Sequence, residues 1–349
     1  MKLRILIVIS FVLLYIGTYF ANKFVLSVLK FTFPTIFQGW QTLVGILMFR
    51  ALYASGYIDN LLHGKDWLDC ALWLPGMITF LMSSYAGSRA LATLPLPVYF
   101  AMQNMVLVFK ATADVIVHGQ MTSFYSYFML MISLMSALII AKVDPHFDPD
   151  GYFWMCIHIV SLGCLESYTH FMQGKLKLRA TDKLFSCYLY SFIVLAPSSY
   201  FLGDTLEAVG RFQYFYVSHF YVGCILSGVL GVLLNLCSVY LQELKTPSLM
   251  LDVGAVQAVA KILCSGVSLT FFDMTLTQTL VICLAINFLS SIGYIESSTH
   301  RRLQPNISYA SMNNFDADVY SGDRLLGESR QYFKRQELQQ DMIRLDLGS

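Results

Sequence analysis

Residues 5–20 read ILIVISFVLLYIGTYF, and no charged side chain interrupts them. The apolar stretch extends to about residue 22, and roughly 20 residues at a helical rise of ~1.5 Å cover the ~30 Å hydrocarbon core of a bilayer. Lys2 and Arg4 precede it, as in a signal peptide, but no convincing small-residue cleavage site follows. We therefore expect an uncleaved first membrane span.

Nine further segments of similar length and character follow. They predict an all-α, polytopic membrane protein with ten transmembrane helices, because short connections leave no room for an inserted soluble domain. The expected spans are residues 5–22, 33–54, 68–88, 94–113, 122–143, 151–171, 184–202, 217–241, 247–270 and 275–296.

The composition supports a membrane protein and excludes several other classes. Of the 349 residues, 56% are hydrophobic and 13% are charged, whereas a soluble domain carries roughly 25% charged residues. A net charge of +1 without a basic stripe argues against a nucleic-acid partner. The eight cysteines form no CxxC pair, and no HExxH, GxSxG, Walker A or Rossmann glycine pattern occurs. We expect no enzyme activity, no cofactor and no metal.

Lysine and arginine are distributed unevenly between the two sets of loops, which predicts the orientation. Both termini are expected in the cytosol, and the sequon at Asn306 would then escape glycosylation. The positive side would carry Lys2, Arg4, Arg50, Lys65, Lys175, Lys177, Arg179, Lys183, Lys245, Arg301 and Arg302, and the other side Lys23, Lys30, Arg89, Lys142 and Arg211.

The polar loop DPHFDPDG at residues 144–151 divides the ten spans into five and five. An odd number of spans per half inverts the second half relative to the first, an arrangement typical of secondary transporters. We therefore expect a first five-helix repeat at 1–145, a second at 146–297, and a flexible cytosolic tail at 298–349.

Two intramembrane lysines occupy equivalent positions in the two halves. Lys110 follows a proline by thirteen residues in the fourth span, and Lys261 follows one by fourteen in the ninth, each with a glutamine between. Charge inside the membrane is functional by default. Lysines and amides on two facing helices suit an anionic, hydrogen-bonding solute such as a nucleotide. For Lys110, pairing with Asp114 or snorkelling to the interface stays open.

Several short strings carry a family resemblance: NKFVLS at 22–27, FTFPT at 31–35, QGWQT at 38–42, PVY at 97–99 and QN at 103–104. They resemble the nucleotide-sugar transporter family of the drug/metabolite transporter superfamily, and most closely its GDP-mannose branch. The resemblance implies alternating access by rocking of the two halves. It also implies exchange of a cytosolic nucleotide sugar for a lumenal nucleoside monophosphate in the Golgi membrane or endoplasmic reticulum.

Two motifs of the GDP-mannose branch are altered. Its FYNN motif aligns with LYSF at 189–192, and its GALNK motif with GAVQA at 254–258. A site that reads a base by hydrogen bonds loses discrimination when those groups vanish. We therefore favour a UDP-sugar over GDP-mannose, with UDP-N-acetylglucosamine as the leading expectation, although no residue singles it out over UDP-galactose, UDP-xylose or UDP-glucose.

In the expected site, Lys110 and Lys261 neutralise the diphosphate while aromatic and amide groups position base and sugar. The full set is Tyr15, Tyr19, Asn22, Lys23, Tyr99, Gln103, Asn104, Lys110, Tyr190, Ser191, Gly254, Ala255, Gln257 and Lys261. The expected partners are the nucleotide sugar, the monophosphate and the lipid bilayer, and a homodimer is compatible with the pattern. A non-transporting scaffold or trafficking protein on the same fold, a GDP-mannose transporter, or an exporter of an unrelated metabolite are the alternatives.

Overall fold

A computed structural model describes residues 2–58, 67–118, 123–212, 216–243, 253–272 and 274–303. The chain separates into residues 1–296 and 297–349, and the description below concerns the first unit. Asn306 and most of the expected tail at 298–349 lie outside the described residues.

Every regular element in the described ranges is helical. The helices are α1 (Lys2–Lys23), α2 (Pro34–Ala54), α3 (Trp67–Leu72), α4 (Leu74–Thr93), α5 (Leu96–Gln103), α6 (Val106–His118), α7 (Phe124–Val143), α8 (Pro149–Phe171), α9 (Ala180–Phe201), α10 (Asp204–Arg211), α11 (Ser218–Glu243), α12 (Val253–Phe271) and α13 (Gln278–Leu303), with a π-helical turn at Phe24–Val28 after α1.

Of the ten expected spans, six correspond within the described residues to helices that are long and apolar enough, by length and composition, to cross a membrane: Ile5–Val28, Phe124–Val143, Ala180–Phe201, Ser218–Gln242, Val253–Phe271 and Gln278–Thr299. Large apolar side chains also lie on the outside of the bundle, among them Leu13, Phe128 and Leu289, which are 64%, 52% and 68% exposed. Such a surface requires a lipid environment. The protein is an all-helical, multi-pass membrane protein.

The fourth expected span is not one helix. α5 ends at Gln103 and α6 begins at Val106. Between them the backbone tightens to i→i+3 bonds, with Met105 N donating to Met102 O at 3.0 Å and Leu107 N donating to Asn104 O at 3.1 Å. The third expected span likewise begins with the short, separate helix α3.

Local sequence explains where several helices begin. Proline opens α2 at Pro34 and α8 at Pro149, where its missing N–H costs no intrahelical bond. Asp148 caps α8 by accepting from Gly151 N at 3.1 Å, and Ser123 caps α7 by accepting from Ser126 N at 3.3 Å. The acidic residues of the 144–151 loop thus serve helix α8 and its entry, since Asp144 also accepts from the Tyr152 hydroxyl at 2.8 Å.

The helices of the two halves pack mainly against each other. α4 packs on α8 and α9, α2 on α9 and α11, α1 on α11 and α12, and α5 on α12 and α8. The interior between the expected halves is therefore formed by both.

Candidate polar site in the bundle interior

Three groups of buried polar residues lie inside the bundle. We call them the cavity group (around Gln41 and Tyr188), the histidine group (around His158) and the lysine chain (around Lys261). Each joins helices from both halves, and polar side chains inside a membrane bundle mark solute pathways.

The cavity group surrounds a small cavity that opens to solvent. Helices α2, α4, α9 and α11 contribute the walls, which are uncharged. The lining residues are Gln38, Gln41, Thr42, Phe80, Ser84, Tyr188, Ser227, Gly228, Gly231, Val232 and Asn235. A concave site with aromatic walls and a few convergent hydrogen-bonding groups is typical of small-molecule binding.

Hydrogen bonds across helices orient the polar groups of the cavity. Gln41 Nε2 donates to Asn22 Oδ1 at 3.0 Å and to Ser227 Oγ at 2.5 Å. Asn235 Nδ2 donates to the Tyr188 hydroxyl at 2.8 Å. The two contacts of Gln41 join α2 to α1 and to α11, and the contact of Asn235 joins α11 to α9. The walls of the cavity are therefore held together by helices of both halves.

Small residues let the cavity helices approach closely. A Cβ added at Gly45 of α2 would lie 2.9 Å from the Tyr188 ring of α9, and one at Gly228 of α11 would lie 3.1 Å from Val44. Glycine is therefore required at Gly45 for Tyr188 to reach the cavity wall. Close approach at small residues is a general device of membrane helices.

The histidine group lies between α1, α4, α5 and α8. His158 is 6% exposed, and its Nδ1 lies 2.8 Å from Ser83 O. Its Nε2 lies 3.2 Å from the Tyr99 hydroxyl and 3.3 Å from Gln103 Nε2. A Cβ at Gly87 would lie 2.8 Å from His158 Nδ1, so only glycine leaves room for the ring against α4.

Aromatic rings of α1 extend this group. Tyr15 and Tyr19 lie 4.7 Å apart between ring centroids, and Tyr19 lies 6.0 Å from Tyr99. The rings of Tyr99 and His158 are 5.6 Å apart. Three of the residues expected to stack on a base or sugar are thus brought together.

The lysine chain crosses four elements. Lys261 Nζ of α12 donates to Asn104 Oδ1 at 3.0 Å, at the break between α5 and α6. Asn104 Nδ2 donates to Asn287 Oδ1 of α13 at 2.9 Å. Asn287 Nδ2 in turn donates to Ser133 O at 2.9 Å and Ser136 Oγ at 3.0 Å on α7. Because a backbone carbonyl only accepts, Asn287 must turn its nitrogen to Ser133 O and its oxygen to Asn104. Asn104 then turns its nitrogen to Asn287 and its oxygen to Lys261, so the Lys261 ammonium group meets an acceptor.

Lys23 has a structural partner. Its Nζ donates to Leu91 O at 2.9 Å and Leu94 O at 2.8 Å, at the carboxyl end of α4, and the side chain is 6% exposed. A cation at the last carbonyls of a helix complements its dipole. The structure thus shows the Lys23 ammonium group, at the end of α1, bound to the end of α4. Asn22 beside it belongs to the cavity group.

The remaining expected residues are more scattered. Lys110 is half-buried on α6, and because the helix breaks after Gln103, it does not share one continuous helix with Tyr99 and Gln103 of α5. The side chain of Asp114, its alternative partner, lies outside the described residues. Neither Lys110 nor Lys261 lines the cavity.

Tyr190 packs instead beside Trp73 and Met77. Ser191 is 1% exposed, and its hydroxyl has no hydrogen bond within the described part of the chain. On α12, Gly254, Ala255 and Gln257 are all half-buried, and Ala255 packs with a cluster around Tyr294. Tyr190 and Ala255 therefore pack in clusters other than the one that holds Tyr15, Tyr19 and Tyr99.

Sequence reasoning missed His158, Asn287 and Asn235. Each is a lone polar residue in the middle of an apolar span, and that isolation is the signal that could have found them. Gln38 and Gln41 carried the family resemblance but were not expected to line the site.

Several named transporters are similar in sequence to this chain. No family model matches the chain. A UDP-N-acetylglucosamine transporter TMEM241 homolog of Xenopus laevis is 37% identical over 276 residues, covering 79% of this chain and 91% of that protein. The UDP-N-acetylglucosamine transporter TMEM241 of Mus musculus is 36% identical over 282 residues, covering 80% and 92%. A GDP-mannose transporter of Aspergillus clavatus is 26% identical over 316 residues, covering 84% and 80%. The chain belongs to the nucleotide-sugar transporter family.

Proposed function

We propose that the protein is a nucleotide-sugar antiporter that exchanges a cytosolic UDP-sugar, best UDP-N-acetylglucosamine, for a lumenal nucleoside monophosphate. The observation that carries the proposal is the cavity, open to solvent and lined by polar side chains, whose walls come from α2 and α4 of one half and α9 and α11 of the other. The names of the Xenopus and mouse relatives support the choice of sugar nucleotide.

The proposed architecture is ten spans in two inverted five-helix repeats, counting α4 as the third span and α5 with α6 as the fourth. Exchanging the halves then turns α1 into α8, α2 into α9, α4 into α11 and α5 into α12. Under this exchange the contact of α4 with α8 becomes that of α11 with α1, and the contact of α2 with α11 becomes that of α9 with α4. All of these contacts occur, which supports the repeat.

Alternating access would proceed by rocking of these halves about the interior that they share. The contacts of α2 with α9 and of α5 with α12 map onto themselves under the exchange. A rocking motion pivots at the contacts that are symmetric between the halves. The contact of α2 with α9 carries Tyr188, and that of α5 with α12 carries Lys261. A bound substrate would therefore contact both of these helix pairs.

In the proposed binding mode, Lys261 faces the diphosphate, since its ammonium group has a neutral partner, Asn104, at 3.0 Å. Tyr15, Tyr19 and Tyr99 offer ring faces to the base, and the cavity group offers neutral donors and acceptors to the sugar. A neutral sugar needs no further counter-charge, which agrees with the uncharged cavity walls.

The proposed location is the Golgi membrane, with the endoplasmic reticulum as the alternative, and both termini are proposed to face the cytosol. The uneven distribution of Lys and Arg supports this orientation. A glycan at Asn306 would refute it.

Transport by the purified protein tests the function. Proteoliposomes loaded with UMP are expected to take up labelled UDP-N-acetylglucosamine, and empty liposomes are expected to take up much less. A panel with UDP-galactose, UDP-xylose, UDP-glucose and GDP-mannose identifies the sugar and the base. Binding of these nucleotides without uptake of any of them would support the non-transporting scaffold instead.

A further inference from the structure

The imidazole ring of His158 is held in one tautomer. Its Nδ1 lies 2.8 Å from Ser83 O, and because a carbonyl oxygen only accepts, Nδ1 carries a proton. A second proton, on Nε2, would bury an unpaired positive charge on a ring that is only 6% exposed. The neutral ring therefore presents a lone pair at Nε2, which accepts from the Tyr99 hydroxyl at 3.2 Å.

This tautomer fixes the amide of Gln103. The Gln103 nitrogen lies 3.3 Å from His158 Nε2 and donates to it. A flipped amide would bring the carbonyl oxygen of Gln103 against the ring lone pair, which is repulsive. His158 therefore directs Gln103 Oε1 away from itself.

Gln103 Oε1 is left without a partner. The residue is 8% exposed, and within the described residues this oxygen accepts no hydrogen bond. A buried acceptor without a donor destabilises the fold, and such groups in native structures call for an explanation.

The surroundings of this oxygen favour a nucleotide. The ring of Tyr99 lies one helical turn away on α5, with Tyr19 at 6.0 Å from it. Asn104, the next residue, holds the ammonium group of Lys261. Aromatic faces, a cation and one free acceptor are the groups that a nucleotide sugar with an N–H donor would use.

We propose that His158 is a positioning residue that aims Gln103 Oε1 at an N–H donor of the nucleotide sugar, so that the pair determines specificity. The inference rests on the proposed function and deepens it. Two N–H groups have the required chemistry: the imide N3–H of a uracil base and the acetamide N–H of an N-acetylated sugar.

Binding to the purified protein in nanodiscs tests the inference without requiring transport. The probes are UMP against N3-methyl-UMP, and UDP-N-acetylglucosamine against UDP-glucose. The first pair is expected to differ by about tenfold or more in Kd if Gln103 accepts from the base, and the second if it accepts from the acetamide.

Variants then assign the preference to the pair. His158→Leu and Gln103→Met are each expected to reduce the preference to about twofold or less. His158→Gln is expected to restore it, because a carboxamide oxygen near the position of Nε2 can accept from Gln103. Tyr152→Phe, which removes a hydroxyl from the same helix α8 outside this group, is expected to keep it.

Equal binding within both probe pairs by the unaltered protein would overturn the inference. So would a preference that persists in both His158→Leu and Gln103→Met, or one uniform loss of affinity for all four probes, which indicates a structural role. Binding with the expected preference but without uptake in proteoliposomes would refute the proposed function alone. Absence of binding by all four probes would overturn both.

Discussion

Replacing Lys261 by methionine separates a substrate-binding role from a structural one. The change keeps an unbranched apolar stem but removes the ammonium group that donates to Asn104 Oδ1 at 3.0 Å. A charged hydrogen bond of this kind contributes about 1.5–3 kcal/mol, but burying an ammonium group costs a comparable amount. We therefore expect the free energy of unfolding to change by less than about 1 kcal/mol.

Substrate binding should respond more strongly. At ~4 Å and an effective dielectric constant of ~20, a unit charge pair interacts by about 4 kcal/mol. If desolvation cancels about half of this, roughly 2 kcal/mol of binding free energy is left. Its loss should lower uptake at subsaturating substrate by about 30-fold. The assay is uptake of labelled UDP-N-acetylglucosamine into UMP-loaded proteoliposomes, with thermal unfolding measured in parallel.

Lys142→Met is the matched control, because Lys142 is exposed in the last turn of α7. It should leave both uptake and unfolding unchanged. Uptake by Lys261→Met within about threefold of the unaltered protein would remove Lys261 from the site. A parallel fall in uptake and in melting temperature would show instead that Lys261 supports the packing of α12 on α5.

Three further substitutions test the packing of the site. Asn287→Leu removes three hydrogen bonds, two to α7 and one to Asn104. At about 0.6 kcal/mol each in a membrane protein, the free energy of unfolding should fall by about 2 kcal/mol. An unchanged melting temperature would contradict the role of the lysine chain in stability. Gly45→Ala places a Cβ 2.9 Å from the Tyr188 ring and should cost about 1–3 kcal/mol by the same measurement, whereas Gly266→Ala, with open space around it, should be neutral. Lys23→Met uncaps α4 and should speed amide hydrogen exchange in its last turn; exchange at an unaltered rate would mean that the cap is dispensable.

The sequence predicted a helical, multi-pass membrane protein because lipid imposes length and polarity on each segment separately, and six of the ten expected spans meet those limits within the described residues. It did not predict the break in the fourth span, since residues 101–108, AMQNMVLV, contain neither proline nor glycine. The side chain of Asn104 lies at this break and bonds to residues more than 150 positions away in the chain. Such an interruption depends on tertiary contacts that no local pattern reports.

The roles of single residues were harder to predict than the helices, because these roles also depend on tertiary contacts. Lys23 was expected in the site with the NKFVLS string of the family resemblance, yet its partners are carbonyl groups about 70 positions away on α4. Lys261 was expected there as an intramembrane charge, and its partner is an amide in the other half of the chain. Periodicity places a side chain on a face of its own helix, but only packing decides what that face meets.

Two of the three polar groups follow a common rule under the proposed exchange of halves. The cavity walls use α2, α4, α9 and α11, and this set maps onto itself when α2 is exchanged with α9 and α4 with α11. The lysine chain uses α12, the break between α5 and α6, α13 and α7, which is also a closed set when α7 is exchanged with α13, whereas the histidine group on α1, α4, α5 and α8 is not closed. The interior residues themselves are not symmetric, since residues 5–14 of α1 contain no ionisable side chain that would match His158 of α8. A symmetric scaffold permits two equivalent access states, while asymmetric side chains give the substrate one orientation, and an antiporter needs both.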